Sequence, residues 1–414
     1  MLVPVLLFAQ SMQGGDPTRD GLDRSEPIRV TDSIYQAVGF SNTFLVKTPA
    51  GSLVIDTAMP AHAQRHRKML GALQPGPIRT IILTHGHGDH TGGVPLWREP
   101  DTQVVAQRNF VEFRHYQARL AGFFARRNAA QFGLNIPAPA PVTSNYPARI
   151  EATILFDQKH TFTLGGVGFE VHATPGETPD HATVWIPAWK AAFVGDNWYA
   201  SFPNIYTLRG TEPRWALDYV NSLNKVLAWK PELLLPSHGQ PIHGWPNIER
   251  ALTTYRDAIL YVHDATVKGM NEGAGVFTLM REIKLPTELD VGEGYGTIAW
   301  SVRGIYEGYA GWFDGNAAAM YSTAASAIHP ELVRMAGGAQ QVAARARKLL
   351  EEGRTIEALQ LTDAALAADP RSRAAWEVRI AALERLLKES RNSNERGWLN
   401  HALGEAKKAM GEQK

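Results

Sequence analysis

One run governs what this chain can become: Thr84-His85-Gly86-His87-Gly88-Asp89-His90-Thr91-Gly92-Gly93, directly after the apolar segment Thr80–Leu83. A short buried strand that runs into a loop frees its side chains from strict alternation. His85 and His87, two residues apart, can then point at one metal ion, while Asp89 and His90 reach a second a few Å away. The glycines between them allow a tight backbone path that a Cβ would obstruct. The chain has no cysteine, so thiolate ligands, disulfides and a cysteine nucleophile are excluded. Any metal must be held by imidazole and carboxylate, a donor set that suits zinc.

Further ligands are expected where other strands break into polar loops. Three positions qualify: Glu177 in Thr174-Pro175-Gly176-Glu177, Asp196 after Phe193-Val194-Gly195, and His238 after Leu235-Pro236-Ser237. Each also has a plain structural alternative, as a solvated loop carboxylate, a turn former and a helix-end partner. Their shared position past short strands favours one common site. Asp56, after Leu53-Val54-Ile55, sits similarly and is expected to accept a hydrogen bond from a ligand imidazole. His160, His172, His181 and His243 are read as structural.

The surrounding pattern is α/β. Thr43–Lys47 and Ser52–Asp56 read as a hairpin about Pro49-Ala50-Gly51, and Ala61–Leu73 as a helix. Strands are expected at Thr161–Leu164, Gly168–Ala173, Ala182–Ile186, Ala191–Val194 and Leu233–Leu235, with a helix over Trp215–Trp229. This mixture predicts a layered fold for residues 28–245. After Trp245 the apolar residues Ile248, Leu252, Tyr255, Ile259 and Val262 recur at helical spacing, so residues 246–414 are expected to be all-helical. Within them Gly353–Pro370 and Ala374–Leu387 read as a tetratricopeptide-like helix pair turning at Asp369-Pro370, followed by an amphipathic helix over Asn392–Lys414.

The metal residues and several later segments together resemble the metallo-β-lactamase superfamily, and within it the zinc alkylsulfatase branch. A glutamate at 177, where the superfamily usually has histidine, is similar to that branch. So are Asn204-Ile-Tyr-Thr-Leu-Arg209-Gly210, Tyr309-Ala-Gly311-Trp312-Phe313-Asp314-Gly315-Asn316 and Met335-Ala-Gly337-Gly338-Ala339. The resemblance implies an αββα sandwich followed by a helical dimerisation domain, two zinc ions per subunit and a homodimer. His85, His87 and Glu177 would bind the first ion; Asp89, His90 and His238 the second; Asp196 would bridge them. A metal-bridging hydroxide would then cleave organic sulfate esters, with Arg209 and Asn204 holding the anionic group, since a guanidinium offers a planar fork matching an oxyanion. Asp89, Asp196 and Arg209 are the expected catalytic side chains. Two departures stand out: the branch commonly bridges through glutamate rather than Asp196, and its larger members continue into a lipid-carrier-like domain that this sequence does not reach.

Arg209 favours an anionic ester over a neutral lactone, although a β-lactam or a phosphoester would also satisfy a cation. A non-catalytic interaction protein is the remaining alternative, which loss of a metal ligand would favour. The aromatics Trp198, Tyr199, Phe202 and Tyr206 read as core, with an apolar pocket for an alkyl group as the alternative. A formal net charge of +1 gives no reason to expect a nucleic-acid partner. No apolar stretch reaches the roughly 18–20 residues that span a bilayer. Met1–Gln10 is apolar like the centre of an export signal but lacks the positive charge before it, so a periplasmic or secreted location is preferred and a cytoplasmic one stays open.

Overall fold

The computed structural model describes residues 19–133 and 151–411, which leaves the Met1–Gln10 run outside. By packing, the chain forms two compact units, Met1–Arg127 with Ile136–Tyr309, and Asn128–Asn135 with Ala310–Lys414. The helices between Trp245 and Tyr309 therefore belong with the sheets.

The first unit holds two sheets. The seven-stranded sheet follows chain order: β1 (Ile28–Arg29), β2 (Ile34–Ala37), β3 (Thr43–Thr48), β4 (Gly51–Ile55), β5 (Ile78–Ile82), β6 (Gln103–Gln107) and β7 (Ile154–Phe156). It is antiparallel from β1 to β4 and parallel from β4 to β7. The second sheet contains β8 (Lys159–Leu164), β9 (Val167–Ala173), β10 (Ala182–Ile186), β11 (Ala191–Gly195), β12 (Leu233–Pro236) and β13 (Ile242–His243), again in chain order, with β11 and β12 parallel.

Strand alternation sorts the side chains into layers. Phe44, Val46, Leu53 and Ile55 from the first sheet meet Val184, Ile186, Phe193, Leu233 and Leu235 from the second in one inner core. The intervening residues face outward. Leu45, Val54, Ile81 and Val104 pack with Met69 and Leu70 of the helix Pro60–Gly71. Trp185, Ala192, Val194 and Leu234 pack with the helices Ala216–Trp229 and Trp245–Asn271. The result is the expected αββα sandwich, with strands between two helical layers. Tyr199 and Phe202 are buried, and Phe202 belongs to this outer core.

The second unit is helical. Thr355–Ala368 and Arg373–Glu389 form the expected pair with a break at Asp369-Pro370, and Ser372 caps the second helix by accepting from the Ala375 amide. Ala365 and Ala375 pack with Val333, Val342 and Ala343 in a small core. Among the described residues no helix is long and apolar enough to cross a membrane.

Candidate metal centre

The site lies where strands end. Asp56 follows β4, Thr84 and His85 follow β5, Asp196 follows β11, and Ser237 and His238 follow β12. Two parallel strand pairs, β4–β5 and β11–β12, thus release their loops towards one place. Asn42 ties the loops of the two sheets: its amide donates to the Ser237 carbonyl at 2.7 Å and its side chain to the Pro236 carbonyl at 3.0 Å.

Six side chains form two groups. The donor atoms of His85, His87 and Asp196 lie within 4.8 Å of one another, and so do those of Asp89, His90 and His238. Asp196 faces both: Oδ1 is 3.4 Å from His90 Nε2, while Oδ2 is 3.1 Å from His238 Nε2 and 3.8 Å from His85 Nε2. His90 Nε2 and Asp196 Oδ1 are buried without a hydrogen-bond partner among the described residues. Orphaned lone pairs of this kind are costly unless something else satisfies them, and a divalent cation does so. The donor set therefore fits a metal.

The imidazoles are oriented from behind. Asp56, fully buried at φ +53°, accepts from the Thr84 amide and hydroxyl, the Ser237 hydroxyl and His90 Nδ1, each at 2.8 Å. His238 Nδ1 donates to the Phe40 carbonyl. Both contacts put the remaining Nε2 lone pair towards the cluster. The Phe40 loop is itself held by the helix Pro60–Gly71: the Phe40 amide donates to His62 Nδ1 at 3.3 Å, and His66 bridges Thr43 Oγ1 at 2.9 Å and the Val38 carbonyl at 3.1 Å.

His181 is buried beside the clusters but outside both groups; its Nε2 accepts from the Asp196 amide at 3.1 Å. Gly195 has φ +54°, and a Cβ there would fall 2.3 Å from His181 Nε2, so this close approach requires glycine.

Electrostatics in the metal-free protein mark the two groups differently. Burial drives His85 and His87 well below the usual histidine range. Burial also opposes the charged forms of His90 and His238, yet Asp196 and Asp89 outweigh it, raising His90 and lifting His238 to about 8. Burial would likewise lift Asp89 and Asp196, but the facing imidazoles hold both low.

Glu177 stands one step back from the first group, its Oε1 3.8 Å from His87 Nδ1. It is bound instead by two residues that sequence reasoning did not single out. Arg214 Nη1 lies 2.5 Å from Oε1, and the Tyr219 hydroxyl donates to Oε2 at 2.7 Å. Arg209 Nη2 is 3.2 Å from His87 Nε2. Asn204 is buried in the same loop, with its side-chain oxygen unpartnered among the described residues and its carbonyl accepting from Arg214 at 2.8 Å.

Strand-end loops gathered about buried histidine and aspartate clusters define a metal-binding site. Two family models match in succession: the metallo-β-lactamase superfamily over residues 37–238 and the alkyl sulfatase dimerisation family over residues 278–408. The chain thus carries a metallo-β-lactamase domain followed by an alkyl sulfatase dimerisation domain. It is 28% identical over 383 residues to a linear primary-alkylsulfatase of a Pseudomonas strain, covering 86% of this chain and 72% of that protein. With the alkyl/aryl-sulfatase of Saccharomyces cerevisiae it shares 28% identity over 389 residues, covering 86% of this chain and 60% of the relative. The solved structure of a stereoselective inverting secondary alkylsulfatase from Pseudomonas superposes with a TM-score of 0.82 at 24% identity, over 94% of this chain and 66% of that one. The fold is thus shared, while the chain spans only part of the length of these relatives.

Proposed function

We propose that this chain is a hydrolase of organic sulfate esters that works with two zinc ions. The observation that carries this reading is the pair of inward-facing groups joined by Asp196, with the Arg209 guanidinium beside them. The relatives named as alkylsulfatases support the substrate class.

His85, His87 and Asp196 would hold one ion, with Glu177 completing it, and Asp89, His90 and His238 the other. When bound, such ions acidify water and polarise the ester oxygens. The protein supplies the rest. Asp56 and the Phe40 carbonyl fix the histidine tautomers, and burial excludes bulk water from the clusters. Arg209, half-buried, offers donors to the sulfate oxygens, where charge-assisted hydrogen bonds are strong. Asn204, buried in the same loop, would add a side-chain amide donor. Hydrolysis adds water across the ester and releases an alcohol and sulfate.

The dimerisation-family match also supports a homodimer. Trp312, Tyr321 and Met335, 74%, 71% and 83% exposed in the second unit, are apolar side chains that a partner subunit would cover.

The test is a hydrolysis panel on zinc-loaded protein: a medium-chain alkyl sulfate, an aryl sulfate, an aryl phosphate and a β-lactam, with Arg209→Ala alongside. Sulfate release should dominate and fall about 100-fold in the variant, in line with loss of a charge-stabilising donor. Dominant phosphate or β-lactam turnover, indifferent to Arg209, would overturn the substrate class.

A further inference from the structure

The two metal groups receive very different treatment from the surrounding cations. Beside the first, Arg214 is 6% exposed and fixed on three sides. Nη1 contacts Glu177 Oε1 at 2.5 Å and donates to the Asn204 carbonyl at 2.8 Å, while Nε donates to Thr211 Oγ1 at 3.3 Å. Tyr219, fully buried, occupies the other Glu177 oxygen. Both carboxylate oxygens of Glu177 are therefore engaged by donors before any metal arrives. Arg209 adds a second guanidinium against His87.

Among the described residues no guanidinium contacts the second group, and Arg209, which contacts His87, reaches Asp89 only through its charge. Asp89 Oδ2 faces His90 Nε2 at 3.4 Å and His238 Nε2 at 3.7 Å. These are groups that give up their protons to a metal, whereas guanidinium does not. Asp56 backs His90 with a further negative charge.

We propose that Arg214 is a positioning residue that attenuates Glu177 as a metal donor and so makes the two sites unequal. The group of Asp89, His90 and His238 fills first, and the group of His85 and His87 fills later and more weakly. This rests on the dizinc reading above. The physical basis is direct. A guanidinium in contact with a carboxylate offsets its charge and occupies one of its lone pairs, and in a buried site the repulsion between that guanidinium and an incoming divalent ion is poorly screened. Among the described residues no guanidinium makes such a contact with the donors of the second ion. Tyr219 contributes in the same direction but without charge, by holding Oε2.

The test uses the full-length, metal-free protein titrated with zinc alone against a chromophoric chelator, with bound metal counted by elemental analysis. Wild type should take up two zinc ions in two resolved events. Arg214→Met should tighten the weaker event about tenfold, within the range by which groups supporting metal ligands alter affinity, and leave the tighter event within about twofold. Arg214→Lys keeps a cation there and should retain most of the wild-type separation. Tyr219→Phe frees one oxygen and should tighten the weaker event by about two- to threefold, a fraction of one hydrogen bond. In the metal-free state Arg214→Met should also melt below wild type, since it leaves Glu177 buried without its partner, and zinc should restore the loss. A purely structural Arg214 would loosen both events together. The inference is overturned if the weaker event is unchanged or loosened in Tyr219→Phe and in whichever Arg214 variant folds. Two zinc ions bound with equal affinity by wild type overturn it as well, while leaving the dizinc reading intact. Fewer than two zinc ions on wild type defeat that reading itself, and this inference with it.

Discussion

Asp56→Asn is the substitution that most sharply separates charge from shape at this site. The residue sits at φ +53°, a region that asparagine tolerates as well as aspartate, so the backbone is spared. Its Oδ1 accepts the Thr84 amide, a bond that the asparagine oxygen can keep. Its Oδ2 accepts two hydroxyls and His90 Nδ1, and an amide NH2 placed there cannot. The hydroxyls of Thr84 and Ser237 can rotate to accept instead, but His90 Nδ1–H then points at another donor. The loss is one charge-assisted bond, about 1.5–3 kcal/mol, offset in part because the Ser41 hydroxyl, 3.3 Å from His90 Nδ1, can accept in its place; a net cost of about 1–3 kcal/mol follows. If His90 turns to the other tautomer to relieve the contact, its Nε2 gains a proton and ceases to be a ligand. Zinc affinity should therefore fall about 10- to 100-fold. Urea unfolding of the metal-free protein reads the first number, and zinc competition with a chelator reads the second. A stability change under about 1 kcal/mol together with unaltered zinc affinity would refute the reasoning, because the Asp56–His90 contact would then orient nothing.

Two further predictions concern the supports. Gly93→Ala would place a Cβ 2.1 Å from the Thr57 carbonyl oxygen and 2.9 Å from Ala63 Cβ, while Thr57 is tied through its amide and hydroxyl to the His90 carbonyl. Overpacking should cost about 1–3 kcal/mol, and an unchanged thermal midpoint would show that the loop yields freely. His66 is fully buried, and burial with Arg65 nearby holds its pKa down to about 3. The folded protein thus keeps it neutral while the unfolded chain protonates below about 6.5, so its stabilisation is complete above that value and is lost as the pH falls towards 3. The metal-free His66→Gln variant should lose stability less steeply than wild type between pH 6.5 and 4, by up to about 1.4 kcal/mol per pH unit; identical slopes would contradict this.

The sandwich was legible because its strands obey a period of two. Leu53 and Ile55 face the inner core while Val54 faces the helices, and Ala191, Phe193 and their neighbours do the same across β11. The histidine run was legible because its ligands are contiguous. What stayed hidden depends on pairings across the sequence. The apolar stripe of Ile248, Leu252, Tyr255, Ile259 and Val262 announces a buried helix face but not its partner, which proves to be the second sheet through Ala192, Val194 and Leu234. Periodicity reports that a face is covered, never by what. His62 and His66 lie on a helix whose sequence carries no metal pattern, and only the fold brings them under the Phe40 loop. Arg214 is the clearest case. An arginine five residues past Arg209 reads as a surface cation, and nothing local connects it with Glu177 or with the tyrosine of the following helix.

That hidden arginine completes the charge balance on which the substrate argument turns. Around the clusters stand four carboxylates, Asp56, Asp89, Glu177 and Asp196, and two guanidiniums, Arg209 and Arg214, so 2 − 4 leaves −2 with the histidines neutral. On the dizinc reading, two divalent ions would reverse this to +2. Without Arg209 and Arg214 the same metals would merely neutralise the four carboxylates, and an anionic ester would gain little from entering a desolvated site. With them, on the dizinc sulfatase reading, the site would be +1 once the attacking hydroxide is counted, and a sulfate monoester of charge −1 would neutralise it. A sulfate product carrying more negative charge would be held more tightly still, so the same cations that would admit the substrate would oppose release of the product. Arg214 is already committed to Glu177. On that reading the burden of admitting and releasing the anion would fall on Arg209, which is the more exposed of the two, the position expected of a residue that must exchange its partner in every turnover.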